Sequence, residues 1–241
     1  MAEVGEHKGR VAVITGGSGA IGAAIAERLK NAGAVVHVLD VQPSSVPGAD
    51  FHRVDVRNET DVDAAFDAIG KADHRIDYLV CCAGIYRPAP FLNLLPEQWQ
   101  ETLQTNLTGY FLCCRAALRF MRTQKFGRIV MFSSMIARTG AADAAHYAAS
   151  KGGVLGLARS LAVESAAENI RVNTISPTIT DTPMPRAVLS EQEVESRKAR
   201  IPLGRIGVVD DMAEACIFLL RDDSSYVLGQ DLRVNGGSTL W

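Results

Sequence analysis

No run of like charge stands out in this sequence: 25 Lys and Arg face 27 Asp and Glu, for a net charge of −2. That balance argues against a partner recognised by bulk electrostatics, so neither nucleic acid nor a membrane surface is expected. Long apolar runs are missing too, and none approaches the roughly 18 residues of a spanning helix. The opening residues Met1–Lys8 are polar and charged, so no secretory leader is expected and a cytoplasmic protein is. Cysteine is scarce and odd in number. The five thiols fall as Cys81-Cys82, Cys113-Cys114 and Cys216, without metal-ligand spacing and inside apolar segments. They are expected as buried, reduced thiols, and no metal site is expected. Repeats, low-complexity tracts and linkers are absent as well, so residues 1–241 read as a single domain with room for a sizeable core.

What the chain does contain is a regular alternation. Short apolar runs at Val11–Thr15, Val35–Asp40, Phe51–Asp55, Tyr78–Cys82, Arg128–Ser133, Val172–Ser176 and Asp231–Asn235 read as strands, most of them buried on both faces. Between them, Ile21–Ala32, Thr60–Lys71, Gly109–Thr123, Ala144–Ala167 and Asp210–Leu220 read as helices. Strand and helix in alternation predict an α/β fold, a doubly wound parallel sheet with helices on both faces. Thr178–Pro202 is the least regular segment. It follows a strand, at the edge where α/β sheets bind ligands, and is read as a lid in preference to a solvated helix.

Directly after the first strand comes Thr15-Gly16-Gly17-Ser18-Gly19-Ala20-Ile21-Gly22, and then a helix. Free N–H groups and the helix dipole at such a turn suit the phosphates of a dinucleotide, and glycine lets the backbone come close to them. The second strand ends at Asp40, 18 residues beyond Gly22. A carboxylate there can accept from the adenosine ribose hydroxyls of NAD, and it repels the 2′-phosphate of NADP. The flanking Leu39, Val41 and Gln42 supply no compensating cation. NAD is the expected cofactor.

Tyr147 and Lys151 are four residues apart on a predicted helix and share a face. A phenol is a poor base at neutral pH, and a neighbouring ammonium favours the phenolate. Taken with the glycine-rich turn, the segment Tyr147-Ala148-Ala149-Ser150-Lys151 resembles the short-chain dehydrogenase/reductase family, in its single-domain branch. The resemblance extends to Asn106–Gly109, Ser133-Ser134, Ser176-Pro177, Thr182-Pro183-Met184, Pro202–Arg205, Gly229-Gln230 and Asn235–Gly237. It implies a three-layer Rossmann fold with a seven-stranded sheet in the order 3-2-1-4-5-6-7. It also implies hydride exchange between a nicotinamide and a secondary alcohol or ketone. By resemblance, Tyr147 is the general acid/base, Lys151 holds the nicotinamide ribose and lowers the tyrosine pKa, Ser134 hydrogen-bonds the substrate oxygen, and Asn106 anchors a water leading to Lys151. Ser133 is left with strand-end hydrogen bonding. The cofactor is implied to contact Gly16, Ser18, Gly19, Ala20, Ile21, Gly22, Asp40, Asp55 and Val56 at the adenosine and pyrophosphate, with Asp55 on the adenine amino group. Ala83 and Gly84 line the ribose, and Pro177, Thr178, Thr180 and Thr182 hold the nicotinamide end. A homotetramer built through the two long helices and the C-terminal strand region is implied, the apolar end at Ser238–Trp241 being consistent with an interface.

Three positions depart from the family pattern: Ala20 replaces a glycine, Cys81-Cys82 replaces a pair of asparagines, and Thr178 replaces a glycine. They motivate an alternative, an NAD(H)-binding relative without catalysis. An epimerase or dehydratase of the larger branch is disfavoured, since the chain stops at Trp241 with no room for the added domain. For the substrate, Ile85–Leu95, Met135–Asp143 and the segment after Thr182 are expected to form a mainly apolar wall. Arg87 and Arg138 are its candidate cations for an acidic or acyl-thioester substrate. Reduction of a 3-oxoacyl group on a carrier protein is a further alternative, disfavoured by the acidic stretch Glu164–Asn169 expected near the site.

Overall fold

The computed structural model describes residues 6–240. Seven strands, β1 (Val11–Thr15), β2 (Val35–Asp40), β3 (Asp50–Arg53), β4 (Tyr78–Cys81), β5 (Gly127–Phe132), β6 (Ile170–Pro177) and β7 (Asp231–Val234), form one parallel sheet in the order β3-β2-β1-β4-β5-β6-β7. Side chains alternate across a strand, so β1 feeds both layers. Val11 and Val13 pack with Phe66, Ile69, Tyr110, Met121 and Val154, from helices α2 (Glu59–Asp73), α4 (Gly109–Gln124) and α6 (Ala145–Ser165). Ala12 and Ile14 pack with Ile25, Leu29, Cys216 and Ile217, from α1 (Ala20–Asn31) and α9 (Val209–Leu220). The expected three-layer doubly wound architecture and strand order are observed. Among the described residues, no helix is long and apolar enough to cross a membrane.

The first two predicted strands recur with the same ends, and the other strands and the long helices recur with ends displaced by a few residues. β3 stops at Arg53, two residues early, which releases Asp55 and Val56 into the loop beyond. Four shorter helices were not expected: α3 (Pro96–Leu103), α5 (Ile136–Thr139), α7 (Pro183–Arg186) and α8 (Glu191–Lys198). The last two occupy the segment read as irregular. Ser190 and Glu193 form a reciprocal capping box at the start of α8, where Glu193 N donates to Ser190 Oγ (3.3 Å) and Ser190 N to Glu193 Oε2 (2.8 Å). Between α3 and α4, Gln104–Thr108 make a π-helical turn, whose extra residue alters which side chains face the sheet.

The end of the sheet opposite the glycine-rich turn is fastened by one buried carboxylate. Asp77 is fully buried and accepts from Val11 N (2.9 Å), from Arg75 Nε and Nη2 (2.7 and 2.6 Å) and from Arg10 Nη1 (3.3 Å). It thereby ties β4 to β1, the two strands whose far ends flank the cofactor turn. Replacing Asp77 with Ala should strand the Val11 N–H and cost about 2–3 kcal/mol. Urea unfolding of the variant checks this, and a loss below about 0.5 kcal/mol would remove Asp77 from that role.

Candidate active site

The sheet order reverses between β2-β1 and β4-β5, so the loops leaving β1 and β4 turn to opposite faces and open a crevice at their carboxyl ends. Glycine is required at two points here. Gly16 has φ +65°, and a Cβ on it would stand 2.5 Å from Ala83 N, while a Cβ on Gly22 would stand 2.4 Å from Gly16 O. The first contact lets the turn abut the loop after β4, and the second lets α1 pack against the turn. The result is a cradle of backbone N–H groups that a side chain would fill. It fits a dinucleotide pyrophosphate.

A cavity of about 530 Å³ runs along this cradle, lined by Gly16, Gly19, Ala20, Ile21, Gly22, Asp40, Asp55, Val56, Ala83, Gly84 and Thr182. The structure thus brings together all the expected residues of the adenosine and pyrophosphate end except Ser18. Ser18 Oγ instead donates to Gln42 O (2.8 Å), and its N–H donates to Asp40 Oδ2 (3.1 Å). Asp40 also accepts from Gln42 N at Oδ1 (3.0 Å). Each oxygen therefore has one internal donor and keeps a second acceptor site for a ribose hydroxyl. Asp55 is already engaged by Arg57, whose guanidinium approaches to 2.6 Å and holds the carboxyl below its ordinary pKa. Arg57, which the sequence reading passed over, lines the same cavity.

A second cavity of about 510 Å³ shares Ile21, Gly84 and Thr182 with the first, so the two form one groove. Ser134, Tyr147, Lys151, Pro177, Thr178 and Thr180 line it. Ser134 follows β5, and its hydroxyl accepts from Ile136 N (3.2 Å). Ser133 Oγ donates to Lys151 O (2.8 Å), so the expected strand-end role becomes a tie between the sheet and α6. Asn106 lines neither cavity. It is fully buried, exchanges hydrogen bonds with Ile85 N and O (2.8 and 2.9 Å), and donates to Ser150 Oγ (3.2 Å), which donates to Tyr147 O (2.8 Å). Its side chain thus connects the loop after β4 to the turn of α6 that carries Tyr147.

The electrostatics of the pair differ from the expectation. Burial pushes Tyr147 up to about 12, partly countered by the Ser134 hydroxyl, and burial brings Lys151 down to about 8. Lys151 was expected to depress the tyrosine. In this structure Lys151 Nζ points instead to Phe132 O (2.8 Å) and the Tyr110 hydroxyl (3.3 Å). Desolvation dominates both groups, and neither shift includes a contribution from the other partner. Tyr110, buried on α4, and Tyr86, whose ring lies 4.8 Å from that of Tyr147, complete the surroundings. No sequence motif marked Tyr110. Its place on the buried face of a long helix was the available signal.

The three departures are accommodated locally. The Ala20 residue is exposed at the rim of the cradle. Cys81 lies in the sheet core and Cys82 packs against the α1/α9 layer, with burial raising both thiols. All five cysteines are free; four are buried and Cys82 is half-buried. Thr178 has no positive φ and donates its N–H to Val234 O (3.4 Å), so glycine is not needed there. Two expectations about charge fail. Arg87 is paired with Glu101 (2.5 Å) and Arg138 with Asp231 (3.0 Å), so neither is a free cation for substrate. Glu164 lies thirteen residues beyond Lys151, about 20 Å along α6 at 1.5 Å per residue. It and Glu168 are neutralised by Arg122 (2.6 and 3.2 Å), so the acidic stretch does not border the site. Of the apolar end at Ser238–Trp241, Ser238 and Thr239 line the second cavity, and Trp241 lies outside the described residues.

Residues 16–239 match the family model described as enoyl-(acyl carrier protein) reductase. The chain is 37% identical over 242 residues to 3-oxoacyl-[acyl-carrier-protein] reductase of Aquifex aeolicus, covering 95% of this chain and 97% of that protein. It is 38% identical over 245 residues to cis-4-hydroxycyclohexanecarboxylate dehydrogenase of Sinomonas cyclohexanicum, covering 95% and 96%. The ligand-free structure of Thermoplasma acidophilum aldohexose dehydrogenase superposes with a TM-score of 0.93 at 30% identity, covering 98% and 96%.

Proposed function

This chain belongs to the short-chain dehydrogenase/reductase family of oxidoreductases, and from that premise we propose that it interconverts a secondary alcohol and a ketone with NAD. The observation that carries the reading is the convergence of Ser134, Tyr147 and Lys151 on one cavity continuous with the glycine cradle. When bound, NAD⁺ would supply the acceptor for the hydride that leaves the carbinol carbon as its C=O bond forms, so that ketone, NADH and a proton balance the alcohol and NAD⁺. The proton on the substrate oxygen passes to Tyr147. Ser134 donates a hydrogen bond to that oxygen and stabilises its developing charge. Lys151 orients the nicotinamide ribose and supplies the positive charge that makes a Tyr147 phenolate tolerable. Asn106 and Ser133 hold α6 in place beneath the pair. Pro177, Thr178, Thr180 and Thr182 hold the nicotinamide end, and α7 and α8 supply one wall of the cavity through Met184, Pro185 and Arg197.

Asp40 supports NAD over NADP. Its carboxylate suits a ribose diol, and Arg57, a cation on the same cavity, is already held by Asp55. The relatives named for 3-oxoacyl-[acyl-carrier-protein] reduction favour a second reading, reduction of a 3-oxoacyl thioester. We assign the protein to the cytoplasm and to a homotetramer. Phe111 on α4 (45% exposed) and Val163 on α6 (81%) are the apolar side chains on those helices that a subunit interface would cover.

Three measurements test the reading. Tyr147→Phe should lower kcat at least about a thousandfold while NADH still binds by fluorescence titration; near-normal turnover would exclude Tyr147. Because Tyr147 stands at about 12, its deprotonated fraction grows with pH. Alcohol oxidation should therefore rise between pH 7 and 9.5, while ketone reduction, which needs the protonated phenol, should stay level; an oxidation rate flat across this range would contradict the assignment. Finally, kcat/KM should favour NAD over NADP by about a hundredfold, within the limit of roughly 4 kcal/mol for two unit charges about 4 Å apart. Asp40→Ser should erase most of that preference, and a wild-type ratio favouring NADP would reject the cofactor assignment.

A further inference from the structure

The second cavity is lined by three cations and no carboxylate. Lys151 lies at its floor, while Arg197 on α8 and Arg200 just beyond stand exposed at its mouth. Between floor and mouth the wall is apolar, formed by Ile136, Met184, Val188, Leu189 and Ile201 with the Tyr86 ring. Most arginines near the groove are committed: Arg57 to Asp55, Arg87 to Glu101, Arg138 to Asp231 and Arg186 to Asp181. Arg197 and Arg200 form no ion pair within 4 Å among the described residues. Glu193, one turn before Arg197, is the nearby acid that feels its charge, and that carboxylate is occupied by Ser190 N and Oγ (2.8 Å each). Two guanidiniums without an ion-pair partner within 4 Å among the described residues, across a mainly apolar span from Tyr147 and Ser134, form a site for a molecule that is polar at one end, apolar in the middle and anionic at the other.

We propose that the substrate is a compact apolar hydroxy acid, or the matching keto acid, with its carboxylate held by Arg197 and Arg200 and its carbinol at Tyr147 and Ser134. The inference rests on the dehydrogenase reading above for its reacting end, and on the two arginines for its anionic end. Guanidinium–carboxylate contacts are charge-assisted and directional, so they fix which carbon faces Tyr147 as well as adding affinity. Arg138 and Arg87, the cations the sequence brought forward, are excluded from this role by their own partners. One relative at 38% identity is named for a hydroxycyclohexanecarboxylate, a molecule of this shape and charge.

The test separates the anion site from the chemistry. Calorimetry on the full chain, with and without NADH, measures binding of cyclohexanecarboxylate and of its uncharged amide, neither of which can be oxidised at a carbinol. The acid should bind about tenfold or more tighter than the amide, and the double variant R197Q/R200Q should erase the difference. R197K/R200K, which keeps the charge, should restore part of it. Equal affinity for acid and amide, or no detectable binding of either, overturns the proposal. An acid preference that survives R197Q/R200Q, with a circular dichroism spectrum matching the parent, overturns it as well. In parallel, NADH formation is followed on cis- and trans-4-hydroxycyclohexanecarboxylate, on neutral cyclohexanols and on a 3-hydroxyacyl thioester of coenzyme A. Arginine-dependent binding without NADH from any alcohol would reject the dehydrogenase reading and leave the anion site standing. Turnover of neutral alcohols with equal binding of acid and amide would reject the anion site alone. Turnover confined to the thioester would replace the carboxylate by a phosphate-bearing carrier and overturn the proposal.

Discussion

Lys151 is 4% exposed, and no carboxylate lies within 4 Å of its ammonium among the described residues. Phe132 O and the Tyr110 hydroxyl satisfy two of its three donors, and the faces of the Tyr110 and Tyr147 rings stand 4.9 and 5.8 Å away. A cation so placed is costly, which is why burial brings it down to about 8, while the same dry surroundings push Tyr147 up to about 12. In each group burial disfavours the charged form. Together, a phenolate and an ammonium offset one another's desolvation, so any ligand that draws Lys151 toward Tyr147 moves both shifts back. Hydrogen bonds from Ser133, Ser150 and Asn106 hold the backbone that carries Tyr147 and Lys151.

That arrangement depends on the sheet order. Only because β1 and β4 are neighbours with connections leaving on opposite faces does the glycine turn meet the loop after β4, where Gly16 abuts Ala83 and Gly84 stands close to Asn106 and Lys151. Asp77 fastens the same two strands at their other ends. The cradle and the reacting pair are consequently two ends of one feature. A side chain at Gly16 would press on the backbone of Ala83, and one at Gly84 would press on the side chains of Asn106 and Lys151.

Much of this was legible in the chain. The strand run VAVIT feeding TGGSGAIG, and the Tyr147–Lys151 spacing, are local patterns whose meaning survives folding because a strand, a turn and one helix face are local objects. Asp40 was legible for the same reason, as a strand end. What the residues could not reveal is pairing between distant segments. Arg87 and Arg138 look like free cations until Glu101 and Asp231 are found beside them, and the acidic Glu164–Asn169 looks close to the site until the length of α6 carries it away. Arg197 is the converse case. In the sequence it belongs to the charged run of a segment read as a lid, without a role of its own, and the fold of α7 and α8 brings it to the mouth of the cavity. The Ser190–Glu193 box was the one local sign that this segment is helical.

The division of charge along the groove follows from how each part is bound. At the cradle the pyrophosphate site is built from backbone N–H groups and a helix terminus, which carry only partial charge and need no side-chain cation. The acids Asp40, Asp55 and Glu101 can therefore line that end, and the cations there, Arg57 and Arg87, are held by Asp55 and Glu101. At the far end the charged side chains lining the cavity are all cationic: Lys151, Arg197 and Arg200. An acidic substrate would be repelled from the ribose end and drawn to the reacting end. In the proposed binding mode the two guanidiniums at the mouth hold the anion by directional hydrogen bonds, and the carbinol is left to face Tyr147.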